Sequence, residues 1–261
     1  MSPDQATIPV LDMSAARQPY GSFSTEFIDQ LRDAAHNVCF FQITGYGAAP
    51  GQAEELLALI TRFFDLPLEE RMKLDNRISP HFRGYTRMGT EITQGRADAR
   101  EQIDYSPERE PVNNYPADQP YWLLQGHNMW PDEALPELKP AAMAWAELMS
   151  SVGMELLRGI SVSLGLPEDH FDEPFGNEPA WMGKLVHYVG GVVEAAGDQG
   201  VGSHADYGFV RVLLQAEVSG VEILPPGTGE WETVAPVPVA IAVTLGAILD
   251  VAPEGLLAGR R

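Results

Sequence analysis

The sequence predicts a mainly β protein: a barrel or jelly roll with helices packed outside it. Three observations carry this. The N-terminal half contains stretches with helical periodicity. The C-terminal part breaks into short strand-like runs. Those runs are separated by Gly- and Pro-rich turns such as Pro225-Pro226-Gly227.

Ile8-Pro9-Val10-Leu11-Asp12 reads as a short edge strand with its proline at the start. Ser24 can cap a helix whose apolar positions are Phe27, Leu31, Ala34, Ala35 and Val38. Val38 to Ile43 reads as a buried strand, closed by the turn Gly45-Tyr46-Gly47. Ala53 to Phe64 is amphipathic, with Leu56, Leu57, Ile60, Phe63 and Phe64 on one side, and Leu66-Pro67 stops it. From Asn76 to Asn128 periodicity is weak, which predicts loops and short strands. Pro140 to Leu164 is the strongest helix pattern, with Trp145, Leu148, Met149, Val152, Leu156, Ile160 and Leu164 at spacings of three or four. Gly165 and Pro167 supply its stop. Strands are expected at Lys184 to Val189, Phe209 to Gln215, Gly220 to Leu224 and Val239 to Leu245. The division expected is an N-terminal helical and strand region over 1–130, then a long helix and barrel core over 131–261.

Apolar residues make up 44% of the 261, enough for an ordinary core. No apolar run approaches the roughly 20 residues that span a bilayer, and the N-terminus lacks the pattern of a secretory signal. The expected setting is cytoplasmic, with no membrane partner. Against 37 acidic residues stand 17 basic ones, a formal net charge of -20. Such a chain repels phosphate backbones, so no nucleic acid partner is expected. The single cysteine, Cys39, excludes an internal disulfide and a thiolate cluster. It sits in the apolar run Val38-Cys39-Phe40-Phe41 and reads as a small buried hydrophobe.

The sharpest local feature is His204-Ala205-Asp206, leading into the apolar run Phe209 to Leu214. Residues i and i+2 of a strand point to one face. An imidazole and a carboxylate so placed can hold a divalent ion such as Fe(II), leaving positions open for a cosubstrate. Taken alone, the spacing describes a loop pair bonded to backbone more readily than a metal site. What favours the metal is context, between the glycines Gly197, Gly200 and Gly202 and a buried strand.

The segment Val201-Gly202-Ser203-His204-Ala205-Asp206-Tyr207-Gly208-Phe209, followed by Leu213-Leu214-Gln215, resembles the iron-binding strand of isopenicillin N synthase-like Fe(II)/2-oxoglutarate-dependent dioxygenases. Gly229-Glu230-Trp231, Val234-Ala235-Pro236-Val237-Pro238 and Leu245-Gly246-Ala247-Ile248-Leu249 continue the likeness. Upstream it includes Phe40 to Gly47, Phe63 to Glu70, Arg83-Gly84-Tyr85 and Glu101 to Tyr105. The resemblance implies a double-stranded β-helix (jelly roll) with an N-terminal helical region. It implies Fe(II) as the metal, 2-oxoglutarate as cosubstrate, O2, and a small-molecule substrate that is hydroxylated, desaturated or cyclised. It makes His204 and Asp206 metal ligands. Tyr188, in Leu185-Val186-His187-Tyr188, matches a tyrosine that faces the cosubstrate carboxylate, although a strand aromatic in the core reads equally well. His187 should point to the opposite face.

The family's third ligand is a histidine well downstream of the pair, and an Arg-x-Ser motif beyond it holds the cosubstrate. Here His204 is the last histidine, and Arg260-Arg261 has no serine after it, so the barrel is expected to be incomplete at the C-terminus. Asp250 and Glu254 are the nearest carboxylates downstream, and neither aligns with the missing ligand. Arg211 stands where the family carries a small polar residue; it reads as a solvated outer-face cation or as a carboxylate-binding group inside the barrel. Two other classes fit part of the text. One is a non-catalytic small-ligand-binding protein of the same fold, with an aromatic pocket of Tyr85, Tyr105, Tyr188, Tyr207 and Phe209. The other is a metal hydrolase using His204 and Asp206.

Overall fold

The computed structural model describes residues 8–176, 179–189 and 199–251; Gly197, Glu254, Arg260 and Arg261 lie outside them. In chain order the elements are β1 (Val10–Asp12), α1 (Thr25–Asn37), β2 (Phe40–Thr44), α2 (Gln52–Phe64), α3 (Leu68–Met72) and β3 (Gly84–Thr86). There follow β4 (Ile92–Thr93), β5 (Arg96–Ala97), β6 (Arg100–Tyr105), α4 (Leu138–Ser163), α5 (Asp172–Phe175) and β7 (Gly183–Tyr188). The last are β8 (Val210–Leu213), β9 (Val221–Ile223), β10 (Glu232–Val234), β11 (Ile241–Leu245) and α6 (Ala247–Val251). No helix among the described residues is long and apolar enough to cross a membrane. The chain divides into two compact units. One comprises Met1–Pro50, Leu148–Asn177 and Ala205–Arg261; the other comprises Gly51–Glu147 and Glu178–His204.

In the first unit the sheet runs β1-β2-β11-β8. β1 is an edge strand, as Pro9 predicts, and pairs with β2 in parallel, Leu11 opposite Ile43. β11 joins β2 and β8, antiparallel to both. Ser24 accepts a hydrogen bond from the Phe27 amide and caps α1, a contact worth about 1 kcal/mol. α1 buries Phe27, Ile28, Leu31, Ala34 and Ala35, and packs on β1 and β2. Gln42, buried within β2, is satisfied at both ends: Nε2 donates to the Ala235 carbonyl (3.1 Å) and Oε1 accepts from the Val237 amide (3.3 Å). It ties the loop before β11 to the sheet. The β9–β10 hairpin closes over Phe40, Val234 and Ala242. β10 is a strand that apolar alternation does not announce. Cys39 is buried, its Sγ 3.2 Å from the Ala35 carbonyl.

In the second unit the sheet runs β3-β6-β7, all antiparallel. α2 packs on β7. It buries Leu56, Leu59, Phe63 and Phe64; Leu59 replaces the expected Leu57 and Ile60, which are half-buried. The central strand β6 is buried along nearly its whole length although its sequence, Arg-Glu-Gln-Ile-Asp-Tyr, is mostly polar. Its charges are paired inside: Asp104 with Lys184, and Glu101 with Arg71 and His187.

Gly84 opens β3 with φ +107°, in the region L side chains avoid. A Cβ there would lie 2.3 Å from the Leu74 carbonyl oxygen, the acceptor of the Tyr85 amide at 2.6 Å. Gly84→Ala should therefore cost about 2 kcal/mol or more, read as a lowered urea midpoint at unchanged slope.

Asp75 caps the short 3-10 turn Asn76–Ile78. Hydrogen bonds from the Arg77 side chain and then from its amide hold the Asp75 carboxyl at about 2, below its ordinary 3.8. A depressed carboxylate stabilises the fold above its unfolded value and ceases to do so as pH falls through the folded one. The stability difference between the parent and Asp75→Asn should thus be full at pH 5, shrink as pH falls from about 4 towards 2, and vanish only below that, measured by urea unfolding across the range.

Candidate metal centre

His204 and Asp206 do not lie on a strand as expected. They sit on an irregular extended segment, and β8 begins only at Val210. Among the described residues no strand pairs with the segment. The chain passes from the second unit to the first between the two residues, and each is set by its own surroundings.

His204 is exposed, with Nδ1 2.8 Å from the Gly202 carbonyl oxygen. A backbone carbonyl on Nδ1 is how metal-bound imidazoles are commonly held, with Nε2 as the ligating atom. Asp206 is mostly buried, its side chain 14% exposed, and Oδ1 accepts from Arg211 Nη1 at 2.6 Å. Arg211 thus binds a carboxylate, that of a proposed ligand, rather than standing as a free outer-face cation. The Asp206 backbone is anchored separately. Its carbonyl accepts from the Ala247 amide (2.9 Å), and that of Gly208 accepts from the Ile248 amide (3.2 Å). Gly246 makes this approach possible, since a Cβ there would lie 2.4 Å from the Gly208 oxygen.

Tyr188 ends β7 and is opposite Arg100 of β6. Alternation along the strands puts Tyr188, Arg100, Gln102, Asp104 and Lys184 on one face of the sheet, and His187, Glu101, Ile103 and Tyr85 on the other. Tyr188 is half-exposed and its ring lies against Gly200, where an added Cβ would be 3.0 Å from Cδ1. On its face Gln102 Oε1 and Arg100 Nε are buried without a hydrogen-bond partner among the described residues. One is an unmet acceptor and the other an unmet donor, so this face has polar atoms with hydrogen bonds still to make.

The suggested aromatic pocket does not form in the second unit. Tyr85 is buried edge-on to Phe63, and Tyr105 packs edge-on to Trp130 and Trp181. In the first unit Phe209 packs on Phe171 and Phe175, and Tyr207 is exposed.

Among the described residues no group of three His, Cys, Asp or Glu side chains is placed to hold a metal ion. The donors His204 and Asp206, one imidazole and one carboxylate, have the chemistry that Fe(II) takes, so the described residues fit it as two of its ligands. Residues missed by sequence reasoning are those that hold the His204 segment: Thr93, Gln94, Asp98 and Gln199. The available signal was Gln94-Gly95, a two-residue turn between Ile92-Thr93 and Arg96-Ala97.

Comparison with known proteins gives the family. Residues 8–133 match the family described as non-haem dioxygenase in morphine synthesis N-terminal, and residues 182–258 match the 2OG-Fe(II) oxygenase superfamily. Homoarginine-6-hydroxylase 2-ODD-C23 of Glycine max is 30% identical over 268 residues, covering 98% of this chain and 80% of the relative. A 2-oxoglutarate-dependent dioxygenase of Gibberella zeae is 30% identical over 260 residues, covering 98% and 67%. The full-length Neurospora crassa T7H in complex with alpha-KG superposes with a TM-score of 0.80 at 20% identity, over 97% of this chain and 77% of that one. The rice dioxygenase for auxin oxidation gives 0.71 at 26%, over 97% and 76%. The fold is therefore the jelly roll of these enzymes, and the activity is that of a dioxygenase using Fe(II), 2-oxoglutarate and a small-molecule substrate. The chain belongs to the 2OG-Fe(II) oxygenase superfamily.

Proposed function

We propose that this chain oxidises a small molecule with Fe(II) held by His204 and Asp206 and 2-oxoglutarate received beside Tyr188. The observation that carries the reading is the Nδ1 contact of His204 with the Gly202 carbonyl at 2.8 Å, which presets the ring as a ligand. Bound Fe(II) would supply the site at which O2 is activated, its reduction drawing on the oxidative decarboxylation of 2-oxoglutarate to succinate and CO2 and on oxidation of the substrate. Asp206 would offset part of the metal's charge, its carboxylate steered by Arg211. The Tyr188 hydroxyl would donate to the cosubstrate carboxylate, on the face that carries Arg100 and Gln102. An N-terminal region over 1–130 and a catalytic core over 131–261 is the division we propose, supported by the separate matches at 8–133 and 182–258.

The net charge of -20 favours cationic over anionic substrates, and relatives from three plants are named homoarginine-6-hydroxylases. A substrate panel therefore starts with homoarginine and other cationic amino acids. Succinate release and O2 uptake that depend on both Fe(II) and 2-oxoglutarate are expected. Fe(II)-loaded protein that consumes no 2-oxoglutarate with any member would count against the reading.

A further inference from the structure

The carboxylate of Asp98 is wholly buried, yet it belongs to no donor set. Its partners fall on two sides. From its own strand region it accepts the Thr93 hydroxyl (2.8 Å) and faces Arg100 Nη2 at 3.3 Å. From the segment before His204 it accepts the Gly202 amide (3.2 Å) and Gln199 Nε2 (3.4 Å). Burying a carboxylate is costly unless such bonds compensate it. Here the bonds from Gly202 and Gln199 join the end of the β4–β5 hairpin to the turn that presents the imidazole.

Four more contacts run between the same two segments. The Ala99 amide donates to the Gln199 carbonyl (3.1 Å). Gln199 Nε2 also reaches the Thr93 carbonyl (3.2 Å). Gln94 Nε2 donates to the Ser203 carbonyl (2.8 Å). A Cβ on Gly202 would lie 2.7 Å from Thr93 Cγ2, so the Thr93 side chain packs on Gly202 where only a glycine leaves room. The hairpin itself is stiff. Gln94 and Gly95 both have positive φ, +51° and +79°, as a type I′ turn requires.

We propose that Asp98 is a positioning residue for the iron ligand His204. It fixes Gly202 through its amide, and the carbonyl of the same Gly202 fixes the imidazole through Nδ1. The assignment rests on His204 being a ligand. Groups that orient a ligand without touching the metal typically contribute 10- to 100-fold in affinity.

The test uses the full metal-free chain titrated with Co(II), whose visible absorption reports both affinity and ligand geometry. Asp98→Asn keeps the size and loses the charge; about 10-fold weaker binding is expected, with an altered Co(II) spectrum. Gln94→Ala removes an exposed side chain outside the core. It should keep the parent's Tm while weakening binding about threefold, on the same scale of effects. A purely structural role would move Tm and leave the Co(II) spectrum alone. His204→Ala serves as reference. If it loses Co(II) while Asp98→Asn and Gln94→Ala bind like the parent, the positioning role is wrong and the ligand assignment stands. If His204→Ala binds like the parent, the ligand assignment is wrong, and the role of Asp98 falls with it. Should Asp98→Asn fail to fold, Gln94→Ala decides alone.

Discussion

His204→Ala should reduce Fe(II) affinity by roughly 100-fold or more and abolish 2-oxoglutarate turnover, and Asp206→Ala should do the same. A lost ligand costs more than the 10- to 100-fold typical of its supporting groups. The two variants should differ in what they leave behind. His204 is exposed, and its ring rests on the nearby Gly202 carbonyl, so its loss should change stability little. Asp206 is largely buried and paired with Arg211, so its removal leaves a cation beside the site without its counter-charge. Asp206→Asn keeps the shape and should lose the metal with less loss of fold than Asp206→Ala. Anaerobic Fe(II) titration beside a urea melt of each variant checks both statements. Parent-like affinity in either alanine variant would remove that residue from the ligand set.

How far the sequence could carry the reading differs by element, and the reasons are physical. α1 was legible because Ser24 caps it and its apolar positions recur at helical spacing onto one packed face. α4 was legible for the same reason, within two residues at its start and one at its end. β6 was not recognisable as a central strand. Its charged residues look like a solvated loop until their partners arrive from α3 and β7, far away in sequence. β10 hides for a related reason, since Glu232-Thr233-Val234 has one buried position. At the proposed site, the candidate ligands and their spacing come from His204-Ala205-Asp206 alone. Their support was not legible there: Asp98 and Gln94 precede His204 by about a hundred residues, and only folding joins them. The opposed faces of His187 and Tyr188 followed from strand alternation alone. Arg211 did not yield to that reasoning, because its partner lies in the loop before the strand rather than across it.

The largest loss of stability is expected at Glu101, where four side chains meet on the face of the β3-β6-β7 sheet away from Tyr188. Arg71 donates to its Oε2 and also to the Tyr85 hydroxyl (3.2 Å). The Tyr85 hydroxyl donates to the same Oε2, and His187 Nδ1 lies 2.9 Å from Oε1. Burial, then hydrogen bonding to Glu101, pushes the Tyr85 phenol well above its ordinary range, so it stays a donor at any working pH. Arg71→Ala would leave a carboxylate that is 7% exposed without its cation, at a cost of about 3–5 kcal/mol. Replacing both charges, Arg71→Met with Glu101→Leu, removes the uncompensated charge along with the pair. The double variant should therefore be more stable than Arg71→Ala, although Tyr85 and His187 then each lose an acceptor. Urea unfolding of the parent, the single variant and the double variant measures the difference. A double variant no more stable than Arg71→Ala would mean that the cost lies in packing at α3 rather than in the stranded charge.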